Sequence, residues 1–149
     1  MARFRDESIA INAIQQQLHP GEQLRHWAYG VKQPNVGLIA LLMCLAILPG
    51  AIAVALMTKE YLIGLTDRRL VVVRFSGGKV NIKEVIEFPL GEIVGRAKTS
   101  KGAVFTHIKI AHPQTPFVAK FHRMGAKQNK DQSRAIADAL TPALAAHAA

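Results

Sequence analysis

The stretch Tyr61-Leu-Ile-Gly-Leu-Thr-Asp-Arg-Arg-Leu-Val-Val-Val-Arg-Phe75 sets the fold class. Tyr61–Leu65 and Leu70–Phe75 are rich in β-branched and aromatic residues, and the polar turn Thr66-Asp67-Arg68-Arg69 joins them as a β-hairpin. Downstream, Ser76-Gly77-Gly78-Lys79 is the next turn, after which Val80, Ile82, Ile86 and Phe88 alternate with Asn81, Lys83 and Glu87. Pro89-Leu90-Gly91 breaks that strand. Three more strands are predicted at 93–98, 103–111 and 117–122, separated by Ser100-Lys101-Gly102 and by His112-Pro113-Gln114-Thr115-Pro116. Turn signals this closely spaced favour an antiparallel sandwich or barrel over βαβ units.

Helices are predicted at both ends. Ile136 and Leu140, with Leu144 beyond, step by four and give a C-terminal helix over 129–141. Pro142 is expected to end it, and the tail 142–149 to fray. Upstream, residues 23–31 alternate as a first strand. A short amphipathic helix precedes it over 6–18, built on Ala10, Ile14 and Leu18 and stopped by Pro20-Gly21. The prediction is one mostly β, α+β domain over 1–149.

Three pieces of this text resemble the bacterial pleckstrin-homology-like families. They are Gly21-Glu22 before the first strand, Leu65-Thr66-Asp67-Arg68-Arg69-Leu70 with Val71-Val72-Val73 after it, and Pro89-Leu90-Gly91-Glu92-Ile93. The match runs over residues 20–141. The resemblance implies a seven-stranded antiparallel barrel or sandwich closed by a C-terminal helix, with no catalytic site and no particular ligand. The departure from the pattern is an apolar insert between the first and second strands.

That insert, VGLIALLMCLAILPGAIAVALM over Val36–Met57, has no charged residue and 19 apolar residues in 22. Three arrangements suit it. A single helix would be about 33 Å long and could cross a bilayer, but it would strand the first β-strand on the far side. A helical hairpin over 36–58, turning at Pro49-Gly50, would dip into one leaflet and return on the same side. Packing against copies of itself in an oligomer would also enclose it, since a helix apolar on every face must be covered. The hairpin is favoured by basic residues on both flanks, Arg25 and Lys32 before it and Lys59, Arg68 and Arg69 after it, as the positive-inside rule expects when both ends are cytoplasmic. The residues expected to insert are Leu38, Ile39, Leu41, Leu42, Leu45, Ile47, Leu48, Pro49, Gly50, Ile52, Val54 and Leu56. Cys44, within the window, reads as a small apolar filler.

The formal charge is +9, and no Asp or Glu occurs from Ile93 to Lys130, a stretch with eight Lys or Arg. Strand alternation points Arg96, Lys98, His107, Lys109, Lys120 and His122 outward, opposite core positions such as Ala97, Val104, Ile108 and Phe117. With Lys32 and Lys59 flanking the insert, Arg96, Lys98, Lys109 and Lys120 form a candidate surface for anionic lipid headgroups. The inositol-phosphate pattern of eukaryotic relatives is incomplete: Lys32 suits one position, but Glu60–Gly64 lacks the basic pair.

Other chemistries lack their residues. His107, His112 and His122 have no carboxylate beside them, so no metal site is expected. Ser76-Gly77-Gly78-Lys79 has no Walker spacing, no serine sits in a nucleophile elbow, and few aromatics are free to stack nucleic-acid bases. One cysteine excludes an intrachain disulfide, and the N-terminus has no secretory h-region. The sequence therefore predicts a non-enzymatic module on the cytoplasmic face of a membrane. It has no cofactor, small-molecule substrate or nucleic-acid partner, and its apolar helices favour self-association. The rival is a soluble homo-oligomeric scaffold with these segments bundled at its centre.

Overall fold

A computed structural model describes Phe4, residues 6–77 and residues 80–141. The Gly78-Lys79 half of the predicted turn, Pro142 and the tail 142–149 lie outside the described residues. The elements are α1 (Ser8–Gln15), β1 (Leu24–Lys32), α2 (Val36–Leu45), α3 (Ile47–Met57), β2 (Lys59–Thr66), β3 (Arg69–Ser76), β4 (Asn81–Pro89), α4 (Leu90–Ile93), β5 (Ala97–Lys101), β6 (Phe105–Ile110), β7 (Phe117–His122) and α5 (Asn129–Leu140). All strand pairs are antiparallel, and the sheet is open, in the order β4-β3-β2-β1-β7-β6-β5. The chain is thus α+β, a seven-stranded antiparallel sheet with a C-terminal helix.

Two blocks, β4-β3-β2-β1 and β7-β6-β5, meet at one paired position, Val31 with Lys120. The sheet folds over at this joint, because Ile63 and Val72 of one block share a core with Ile108 and Phe121 of the other. Helix α5 closes that core with Ile136, Ala137 and Leu140. A second core lies on the opposite face of β2 and β3, where Leu62, Val71, Val73 and Phe75 pack with Phe4, Ala10 and Ile14. Burial on both faces explains why β2 and β3 read as continuous apolar runs rather than alternating ones. The edge strand β4 exposes Lys83, Glu84 and Glu87 and is bulged opposite Arg74 and Phe75.

Glycine fits α1 to the sheet: a Cβ at Gly64 would lie 2.5 Å from Ile14 Cγ2. Gly64→Val is expected to push α1 off β2 and cost about 1–3 kcal/mol, measurable as a lower denaturation midpoint with unchanged strand content.

Three sequence expectations change. The strand predicted at 93–98 starts at Ala97. Residues 90–93 form the single turn α4, with Val94 N donating to the Leu90 carbonyl, and Gly95 at φ +85° redirects the chain. Val104 lies outside β6 and is exposed instead of core-facing. The break in the apolar insert falls at Ala46, extended at φ −164°, rather than at Pro49-Gly50. Pro49 sits in the first turn of α3, where its missing N–H forfeits no helical bond.

Candidate functional site

The register of β1 and β2 determines how the insert leaves and returns. Lys32, the last residue of β1, pairs with Lys59, the first of β2, so both ends of the insert emerge side by side. Asn35 caps α2 by accepting a hydrogen bond from Leu38 N at 2.7 Å. Gly50 is buried where α3 crosses α2, and a Cβ there would collide with the Leu42 carbonyl oxygen. Among the described residues, each helix finds its main packing partner in the other.

Helices α2 and α3 leave most of their apolar surface open. Leu38, Ile39, Leu42 and Val54 are half-buried, whereas Leu41, Pro49 and Ile52 are exposed. Exposure is greatest at Leu56 (82%), Val36 (81%), Ile47 (76%), Leu45 (74%) and Leu48 (73%). Large exposed apolar patches are uncommon on folded proteins. None of the described helices is long and apolar enough to cross a membrane.

The basic residues fall into two groups. Lys98 stands directly opposite Lys109, and His107 opposite Lys120, on the outer face of β5-β6-β7. Lys120 Nζ sits 5.1 Å over the Phe105 ring, which also touches His107 and His122. Because Lys120 pairs with Val31, this row abuts the strand that runs into α2. Lys32, His107, Lys120 and Val36 line one cleft there. Arg96 does not join the row. It lies on the turn after α4 and lines a different cleft, with Glu84, Glu92 and His112. Like charges directly opposite one another destabilise a sheet, so the Lys32–Lys59 and Lys98–Lys109 pairs are both placed to gain from an anion.

Two of the three sequence pieces that carried the family resemblance meet in one buried ion pair, and the third is tied to the turn beside it. Arg69 Nε donates to Glu22 Oε2 at 2.9 Å, and Nη2 donates to Glu22 Oε1 at 2.9 Å and to the Gln17 carbonyl at 2.6 Å. Thr66 Oγ1 donates to Glu22 Oε2 and accepts from the backbone N–H groups of Arg68 and Arg69. Asp67 and Arg68 stay exposed at the tip of the turn. Arg69 Nη1 reaches Glu87 at 2.5 Å, and Leu90 N donates to the Arg68 carbonyl, tying in the start of α4. Hydrogen bonds from Arg69 hold the Glu22 carboxyl down at about 2, against burial acting in the opposite direction. Thr66, Asp67, Arg68 and Arg69 were expected as a turn; the Glu22 partnership is visible only in three dimensions.

No protein-family model matches the chain. No curated protein matches it. Among solved structures, the hSac2 domain from the human phosphoinositide phosphatase Sac2 is similar over 91% of this chain and 81% of its own, with 10% sequence identity and a TM-score of 0.47.

Proposed function

We propose that this chain is a non-enzymatic, pleckstrin-homology-like module. It docks on the cytoplasmic face of a bacterial membrane through α2 and α3, with the basic row facing anionic headgroups. The observation that carries this reading is the position of Lys120: paired with Val31, it brings the basic row to the root of an exposed apolar helix pair. The two features then address one surface.

The dimensions suit one leaflet. Helix α2 has 10 residues and α3 has 11, so each is about 15–17 Å long, roughly half of a 30 Å hydrocarbon core. Each exposed Leu or Ile taken out of water contributes about 1.5–3 kcal/mol. Surface lysines add about 1 kcal/mol each near an anionic bilayer, and salt screens that share.

The test is cosedimentation of the full chain with vesicles. Binding to anionic vesicles that persists in part at high salt supports the reading. A discrete lipid-free particle in detergent-free buffer that ignores vesicles overturns it in favour of the oligomeric scaffold, in which the exposed apolar residues of α2 and α3 pack against copies of themselves. Changing Lys98 and Lys109 together to Gln is expected to weaken binding to anionic vesicles by roughly thirtyfold. Binding to neutral vesicles should change little, because the apolar contribution is untouched.

A further inference from the structure

We infer that the cleft beside the root of α2 holds the phosphodiester of a single anionic phospholipid. This rests on the membrane reading above and goes beyond its diffuse charge attraction, because it assigns a defined site. The cleft encloses about 330 Å³, within the range of small-ligand sites. Three cationic or hydrogen-bonding side chains, Lys32, His107 and Lys120, border it from two different strand pairs. Among the described residues, no carboxylate lines it.

The rest of the wall selects the kind of anion. Pro34, Val36 and Val118 give the cleft an apolar side continuous with the start of α2. A free phosphate is fully hydrated and has no use for such a wall. A phosphodiester esterified to glycerol does: its charge meets the lysines while its ester and first methylenes lie against the valines. The depth agrees, since Val36 is where the chain passes from polar strand to apolar helix. Asn35 takes the Leu38 N–H at the first turn of α2, and the proposed contacts to the anion come from side chains. Lys120 is steadied for this role by the Phe105 ring beneath it.

The experiment is an NMR titration of the full chain in uncharged detergent micelles, reading the imidazole signals of His107 against those of His112. The probes are dihexanoyl phosphatidylglycerol and, separately, inorganic phosphate. The site requires a saturable His107 shift with the lipid and affinity about tenfold or more weaker for inorganic phosphate. Lys120→Gln should weaken the lipid response by about tenfold, the cost of one charge-assisted contact, and Lys32→Gln should act similarly. Equal responses to both probes, a His107 shift that never saturates, or an unchanged response in Lys120→Gln overturns the site. Vesicle cosedimentation separates the two ideas. A chain that binds vesicles without a His107 response keeps the membrane reading and loses the site. A His107 response in a chain that ignores vesicles does the reverse.

Discussion

Glu22→Ala is expected to lower the stability of the fold by about 3–5 kcal/mol, because it leaves a buried guanidinium without its main counter-charge. Arg69 is 6% exposed, and Glu22 takes three of its hydrogen bonds. The Glu87 carboxylate that remains is half in water and compensates poorly. The measurement is denaturant unfolding of the full chain in uncharged detergent at pH 7. The same pair sets the acid limit of the fold. Folding depresses the Glu22 carboxyl from an ordinary 4.5 to about 2, so the folded state binds fewer protons than the unfolded chain in that interval. Its contribution is complete above about pH 4.5 and is lost as pH falls toward 2. Glu22→Gln, which cannot ionise, should flatten stability across this window, and an equally steep acid loss in that variant would assign it to other carboxylates.

Replacing residues 33–58 by an Asn-Gly turn is expected to reduce vesicle binding at least about a hundredfold, since two exposed leucines alone represent about 3 kcal/mol or more of burial. The fold should survive the deletion. Lys32 and Lys59 are already cross-strand partners, and a two-residue loop is a natural connection between antiparallel neighbours. The checks are cosedimentation for binding and thermal unfolding for integrity. A shortened chain that binds vesicles as well as the parent would remove α2 and α3 from the interaction. One that fails to fold would show that the helices support the sheet.

The strands were legible wherever one face is buried. Alternation marked β6 and β7, where Thr106, Ile108, Phe117 and Phe121 face the core and His107 and Lys109 face water. It failed at α4, because Ile93 is as buried as a strand residue and only Gly95 betrays the turn. Pro49-Gly50 misled for a related reason: a proline signals a break in a chain read locally, yet the first turn of a helix accepts it. The site was legible in parts but not in assembly. Lys32 was identified from its place beside the insert and Lys120 from strand alternation, while their meeting depends on one backbone pair, Val31 with Lys120, between distant strands. Arg96 left the row because the strand meant to carry it begins only at Ala97. The Glu22–Arg69 pair had no periodic signature, and its trace in the sequence was a charged residue standing where a buried strand begins.

The guarded edge of the sheet bears on how copies of this chain can gather. β4 is paired on one side with β3 and leaves its outer side without a strand partner among the described residues, the kind of border on which proteins polymerise without limit. Its kink and its row of ionised side chains make accretion there costly. On the membrane reading proposed above, copies crowded on a surface would meet through their greasy helices rather than along this border.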